Sequence, residues 1–297
     1  MNDEERLKLA IQKSGRLSDE SKTLLDKCGI RLIKSKDQLF CTAQNFPLDV
    51  FFVRDDDIPA FVASNVCQIG IVGQNVLFEE QISRHTPNLK NIKPVSELGF
   101  GKCRLAVATP HDFDYQGAQS LEGRIIATSY EGLLSQYLKK QKLSCEIVTM
   151  QGAVEIAPRI NMADAICDLV STGSTLTMNG LKEVETILES QAVLIRNNNV
   201  NEAQQEILDR FMIRLKGVQD AQSSKYIMLH SPVDVLEDIK SVLPGVETPT
   251  VLTLHGRDDL VAIHAVCNEG VFWRTMEKLK AKGASSILVL PIEKMLD

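Results

Sequence analysis

Asp164-Ala-Ile-Cys-Asp168-Leu-Val-Ser171-Thr172-Gly173-Ser174-Thr175-Leu176 runs a short apolar segment straight into a cluster of hydroxyl residues. Strand side chains alternate, so Asp164, Ile166 and Asp168 point to one face. The second half, four hydroxyl residues around Gly173, predicts a loop with a helix after it. Free backbone N–H groups and side-chain O–H donors at such a junction make a small concavity suited to an anion. Asp168 precedes that concavity, where its two oxygens could accept hydrogen bonds from a sugar diol attached to the anion. The alternative is an ordinary turn, with Asp168 capping the next helix. The rest of the chain has to decide between them.

Outward from this stretch, strands and helices alternate. Leu7–Ile11 reads as a strand emptying into Gln12-Lys13-Ser14-Gly15-Arg16, and Ser18, followed by Asp19 and Glu20, reads as the N-cap of a helix that Gly29 stops. Asp49–Val53 is a second strand, ending at Arg54 and the acidic trio Asp55-Asp56-Asp57, which with Pro59 marks a helix start. Gln68–Gly73 is a third strand, with a helix from Asn75. A second block begins near Cys103: strands Arg104–Ala108 and Arg124–Thr128, helix Tyr130–Gln141, strand Glu146–Val148 and helix Val154–Met162 carrying Glu155. Ligands gather at strand C-termini in open α/β sheets, which places Lys13, Arg16 and Arg54 where phosphates would be met.

Two such blocks imply two parallel-type sheets with a cleft between them. The first lobe is assigned to residues 1–102 with 182–219, the latter including a returning strand Ala192–Arg196 and a helix Glu202–Leu215, and the second lobe to 103–181. Gln219–Ser224 reads as a polar linker. Beyond it, residues 224–297 give the order βαββαβ, a ferredoxin-like arrangement suited to regulation or to assembly.

Composition and motifs exclude several classes. A net charge of −6 disfavours a nucleic-acid surface, so anionic ligands must be met by local basic residues. Seven cysteines, an odd number without any CxxC pair, read as reduced and mostly buried. The charged first residues and the lack of a long apolar run make a cytoplasmic protein, off the membrane, the expectation. There is no Walker A sequence, no GxSxG elbow and no His pair with metal-ligand spacing, so neither a covalent nucleophile nor a metal held by protein alone is expected.

Glu155-Ile-Ala-Pro-Arg-Ile-Asn-Met-Ala-Asp164 and the opening stretch together resemble the signature of the ATP phosphoribosyltransferase family, in its long form. Gln12–Leu17, Val53–Pro59, Ile126–Tyr130 and Gly283–Pro291 resemble the family in the same order. The resemblance implies an α/β fold: a two-lobed, periplasmic-binding-protein-like catalytic body with a C-terminal ferredoxin-like regulatory domain. It implies transfer of phosphoribose from phosphoribosyl pyrophosphate to N1 of ATP at the head of histidine biosynthesis, with pyrophosphate leaving. Arg16, Arg54, Glu155 and Asp168 are then the catalytic candidates. Asp168 with Ser171, Thr172, Gly173, Ser174 and Thr175 would bind phosphoribosyl pyrophosphate, and Lys13, Arg16, Tyr130 and Glu155 would bind ATP. Mg²⁺ would arrive bridged to substrate phosphates. Histidine would inhibit from a site including His230, Thr248 and Thr250, AMP is a further candidate ligand, and the family implies a dimer or hexamer. A two-lobed solute binder or sensor, and a phosphoribosyltransferase with another acceptor base, are the alternatives that share the anion loop.

Overall fold

The computed structural model describes residues 6–33, 38–83, 86–243, 249–268 and 272–296. The chain divides into two compact units, Met1–Asp26 with Ile30–Leu208, and Lys27–Gly29 with Asp209–Asp297.

The first unit holds two sheets. Its elements are β1 (Leu7–Gln12), α1 (Arg16–Lys27), β2 (Phe40–Thr42), β3 (Leu48–Val53), α2 (Ile58–Ala63), β4 (Ile69–Gly73), α3 (Gln74–Ser83) and β5 (Lys93–Glu97). There follow β6 (Cys103–Pro110), β7 (Ile125–Thr128), α4 (Glu131–Gln141), β8 (Glu146–Thr149), β9 (Ala165–Val170), α5 (Ser174–Met178), β10 (Leu181–Ser190) and β11 (Ala192–Arg196). The first sheet runs β2-β3-β1-β4-β11-β5 and the second β10-β6-β9-β7-β8. Leu7, Leu9, Ala10 and Ile11 of β1 and Ile69, Ile71 and Val72 of β4 are fully buried, as central strands covered on both faces require. Gly70 shows how closely α2 lies on β4. A Cβ there would stand 2.7 Å from Ile58 and 3.0 Å from Val62.

The sheets are mixed rather than parallel. β1 pairs in parallel with β3 and β4, but β11 runs antiparallel to β4 and β5. In the second sheet β7 is parallel to β8 and β9, while β6 is antiparallel to both β9 and β10. Lobe boundaries shift accordingly. Residues 181–190, expected mostly in the first lobe, form β10 and pair with β6, so the chain returns to the first sheet only at β11.

Three local expectations change. Ser18 is not an N-cap: the Asp19 N–H already bonds the Gly15 carbonyl and α1 begins at Arg16, leaving the buried Ser18 hydroxyl without a partner. Asp57 precedes α2 without a side-chain capping bond, although Pro59 does occupy the first turn. The Val154–Met162 segment is two 3₁₀ turns, Val154–Ile156 and Pro158–Ile160. Pro158 donates no backbone hydrogen bond, and Ala153 and Asn161 adopt left-handed backbone, so no continuous helix forms.

α6 (Glu202–Gln222) absorbs most of the expected linker, because Val218 and Ala221 continue its buried stripe, and Ser224 opens the next strand. The second unit contains β12 (Ser224–Pro232), a 3₁₀ turn with α7 (Leu236–Lys240), β13 (Thr250–Leu254), β14 (Arg257–Asn268), α8 (Phe272–Ala281) and β15 (Ser285–Pro291). Its sheet order, β13-β14-β12-β15, all antiparallel, is ferredoxin-like. Ile227, Leu229, Ile263, Ile239 and Leu279 form its core. The opposite sheet face exposes Leu252, Val266, Leu288 and Leu290. Among the described residues no helix is long and apolar enough to cross a membrane.

Candidate active site

β9 is the middle strand of the second sheet and ends at Val170, one residue before Ser171. Gly173 then turns the chain with φ of +79°, a conformation glycine adopts without a Cβ penalty, and α5 starts at Ser174. Thr172 and Ser174 hydroxyls lie 3.0 Å apart, and Ser171, Thr172, Ser174 and Thr175 are exposed. The result is an open loop of hydroxyl and backbone donors facing solvent.

Arg16 reaches this loop from the first sheet's side. Gly15, with φ of +93°, lets β1 turn into α1, and the Lys13 N–H anchors the turn on the Val53 carbonyl at 2.7 Å. Arg16 Nη1 then donates to Ser171 Oγ at 3.5 Å. Lys13 is exposed nearby in sequence, while Arg54 is engaged with Asp56 at 3.2 Å, so one member of the acidic trio serves the arginine.

Asp168 is half-buried, and its Oδ1 accepts the Leu169 N–H at 2.8 Å. Burial raises its pKa above the usual carboxylate range, the Leu169 N–H opposes this, and the negative charge of Glu155 adds to the rise. Glu155 and Asp168, brought near each other from a 3₁₀ turn and a strand, thus form a mutually repelling carboxylate pair. Tyr130 stands near Asp168. Its phenol is held protonated first by burial and then by the Asp168 charge, and its hydroxyl accepts a bond from Asn75 Nδ2 at 3.1 Å.

Several residues at this site carried no sequence signal. Arg104 forms a two-pronged pair with Glu183 and donates from Nη1 to the Ser171 carbonyl at 3.2 Å, fixing the first residue of the loop. The Arg104 to Glu183 separation of 79 residues follows from the β6–β10 pairing, which no local motif announces. Asn75 also accepts the Ser190 hydroxyl at 2.8 Å, tying α3 to the end of β10. Glu79 of α3 accepts the Gly132 and Leu133 N–H groups of α4, each at 2.8 Å. The Cys103 thiol is raised by burial, against a Ser190 hydrogen bond and the Arg16 charge. Deeper cysteines are more strongly shifted: burial pushes Cys67 up to about 12, as an inert packing residue requires.

In the second unit, His230 of β12 and Thr250 of β13 lie on the exposed sheet face, with β14 between them. Thr248 lies outside the described residues. Tyr226 and His264 share a 2.6 Å hydrogen bond on the same face, a pairing of adjacent strands.

The first unit is thus a two-lobed α/β ligand-binding body, with an anion-suited loop on one lobe faced by an arginine from the other. The family model for ATP phosphoribosyltransferase matches residues 54–217, more than half of the chain, and that for the HisG C-terminal domain matches 221–294. Among solved structures, the ATP phosphoribosyl transferase (HisG:HisZ) complex of Thermotoga maritima aligns with TM-score 0.59 and 26% identity, covering 71% of this chain and 96% of that one. The alkanesulfonate-binding protein SsuA of Xanthomonas axonopodis pv. citri aligns at 0.48 and 14%, over 80% and 77% of the two chains. Tv2483 bound to L-arginine aligns at 0.49 and 13%, over 74% and 87%. The chain belongs to the ATP phosphoribosyltransferase family, as a long-form member with a two-lobed α/β body and a ferredoxin-like C-terminal domain. Its activity is pentosyl transfer to ATP in histidine biosynthesis.

Proposed function

We propose that the loop Ser171–Thr175 grips the 5-phosphate of phosphoribosyl pyrophosphate while Asp168 holds the ribose hydroxyls and faces the cation that develops at C1. Adenine N1 of ATP attacks C1 with its own lone pair, the C1–O bond to pyrophosphate breaks, and pyrophosphate leaves with the bonding electrons. No general base is needed, so catalysis consists of positioning and charge stabilisation. Arg16, with Arg54 and Lys13, meets pyrophosphate or triphosphate oxygens. Glu155 orients the ribose or the adenine, and Tyr130 lines the nucleotide position.

One observation carries this assignment: Arg16, at the start of the helix that follows a first-sheet strand, reaches the hydroxyl of Ser171, three residues after Asp168. The carboxylates of Asp168 and Glu155 are hard oxygen donors whose repulsion a dication would offset, which fits Mg²⁺ bound jointly with substrate phosphates. That ion would supply charge neutralisation to the leaving pyrophosphate.

Feedback by histidine belongs to the second unit on this proposal, with His230, Thr248 and Thr250 as contacts. Assembly into dimers and hexamers is supported by the exposed apolar sheet face of Leu252, Val266, Leu288 and Leu290. A cytoplasmic location and competition by AMP complete the proposal.

The test is the ultraviolet absorbance of protein mixed with ATP, phosphoribosyl pyrophosphate and Mg²⁺, with pyrophosphatase present, repeated with histidine. N1 substitution perturbs the adenine chromophore, so a growing shift requiring both substrates is expected. Asp168→Asn and Arg16→Ala should each slow it about 10- to 100-fold, the loss of one charge-assisted bond. No shift, with phosphoribosyl pyrophosphate still bound, would assign another acceptor base. An undiminished shift in histidine, with no histidine binding, would leave the second unit a purely assembling domain.

A further inference from the structure

The first sheet carries a second concentration of positive charge, at the edge away from the cleft. β11 is antiparallel to β4, and Arg196 stands opposite Ile69, where β4 begins. β1 is parallel to β4 and delivers Arg16 from its other end. Around Arg196 a concavity of about 540 Å³ is lined by Lys90, Asn91, Lys93, Val95 and Asn198. Three cations and two amides line it, and no carboxylate does.

The arrangement opposes the sheet's own stability. Lys93 and Arg196 are directly opposed partners in the β5–β11 pair, so their side chains share one face. Like charges in that relation destabilise a sheet, and a third cation, Lys90, sits on the adjoining 3₁₀ turn. Among the described residues none of the three forms a salt bridge, although the chain has more acidic than basic residues, 39 against 33.

The backbone beneath is fixed in advance. Gln81 Nε2 donates to the carbonyls of Leu89 at 3.1 Å and Ile92 at 2.7 Å, clamping the turn that carries Lys90 and Asn91. Leu89 and Ile92 are buried below it. On the other side, the buried Asn197 donates to the Val62 carbonyl at 2.6 Å and accepts the Asn199 N–H at 2.7 Å, setting the path of Asn198. Donors on a braced frame lose little entropy when a ligand arrives.

We propose that this concavity is a polyphosphate site, separate from the cleft, whose ligand is a linear di- or triphosphate group. Compact multiple charge is what three converging cations select, and amide donors can complete the oxygens' hydrogen bonds. No aromatic side chain lines the site to stack on a base, so the phosphate chain is the recognised part. Free pyrophosphate and the triphosphate tail of a nucleotide share this chemistry.

The experiment is calorimetric titration of the full chain, at low and high salt, with inorganic pyrophosphate, inorganic triphosphate, ATP and adenosine. Four proteins are compared: the natural chain, Arg16→Ala, the pair Lys93→Gln with Arg196→Gln, and all three changes together. Arg16→Ala should weaken the binding in the cleft and leave a second pyrophosphate or triphosphate per chain, at least tenfold weaker at high salt, which the triple variant should lose. Lys93→Gln with Arg196→Gln should leave turnover in the cleft unchanged. Lys90→Gln, on an exposed turn, should by itself weaken the retained binding about tenfold in the Arg16→Ala background, which guards against misfolding of the pair. ATP matching inorganic triphosphate assigns a nucleotide; pyrophosphate binding without ATP assigns the free anion. A second site that vanishes with Arg16→Ala, that keeps its affinity in the triple variant, or that adenosine fills overturns the proposal. Failure of the cleft assignment would appear in turnover and leave these results intact.

Discussion

Replacing Glu79 by alanine tests how the two lobes of the first unit are joined. α4 has no cap of its own: Tyr130 occupies the N-cap position without a side-chain capping bond. The cap comes from α3, where the Glu79 carboxylate takes the Gly132 and Leu133 N–H groups at 2.8 Å each and is also held by the Ser83 hydroxyl at 2.7 Å. A hydrogen bond to a charged group contributes about 1.5–3 kcal/mol, and water can reach part of this half-buried site, so losing both bonds should cost roughly 2–4 kcal/mol. Glutamine keeps one acceptor but loses the favourable charge at the helix N-terminus, and should cost about 1–2 kcal/mol. For a unit of this size these figures correspond to a Tm lowered by about 5–15 °C for Glu79→Ala and about 2–8 °C for Glu79→Gln. Thermal unfolding followed by far-ultraviolet circular dichroism reads the shift, and amide hydrogen exchange at Gly132 and Leu133 locates it. A Tm within about 1 °C of the natural chain, with both amides equally protected, would refute the idea that this carboxylate joins the lobes.

Three further changes probe the same neighbourhood. Gly132→Ala would place a Cβ 2.6 Å from the Ser83 hydroxyl oxygen, 2.8 Å from Ile82 and 3.0 Å from Glu79; overpacking of about 1–3 kcal/mol should outweigh alanine's helix preference of up to about 1 kcal/mol, and a raised Tm would contradict it. Asp168 has a raised folded-state pKa, so the folded protein holds that proton more tightly than the unfolded chain, and the stability this brings at low pH is lost as pH rises from about 4 through the folded value. Asp168→Asn should therefore be more heat-stable than the natural chain at pH 7–8, with the difference closing towards pH 4; a pH-independent difference would sink this account. Arg104→Lys loses the two-pronged grip on Glu183 and the bond to the Ser171 carbonyl, so the KM for phosphoribosyl pyrophosphate should rise several-fold with kcat largely kept, and an unchanged KM would remove Arg104 from the positioning of the loop.

What could be read from sequence was whatever is local in sequence. The strand Leu7–Gln12 shows as an apolar run interrupted by Lys8, Gly173 as a turn residue among hydroxyls, and the βαββαβ order as alternating periods in the last quarter of the chain. Strand direction was not legible, because an apolar run looks the same whether its partner is parallel, as β3 is to β1, or antiparallel, as β6 is to β9. The break in Val154–Met162 was visible in Pro158, and Asn161 is of a type that favours left-handed backbone, but both were outweighed by apolar spacing; the left-handed backbone at Ala153 belongs to a residue type that does not announce it. Arg16 could be placed at a strand end by position alone. Arg104, Glu183, Asn75 and Glu79 could not, since each acts through a partner 53 to 79 residues away.

The distribution of these contacts bears on how the cleft responds to a ligand. On the α3–α4 side the lobes are joined by Glu79 and by the Asn75 to Tyr130 bond, with Ser190 bracing Asn75. Across the mouth, Arg16 to Ser171 is a single exposed contact at 3.5 Å, the long limit of a hydrogen bond and neutral on one side. A phosphate seated in the loop offers Arg16 a charged acceptor in place of a hydroxyl, and guanidinium–phosphate pairs are short and frequently two-pronged. The gain exists only when the lobes are close enough for Arg16 to reach the phosphate, so the ligand binds the closed arrangement better than an open one and shifts the population towards it. Arg16→Lys, which keeps the charge but reaches less far and cannot form a paired fork, should weaken that coupling more than it weakens phosphate binding itself. Small-angle X-ray scattering of the two proteins with and without phosphoribosyl pyrophosphate checks this: saturating ligand should compact the natural chain and leave Arg16→Lys nearly unchanged. Equal compaction in both would assign closure to other contacts across the cleft.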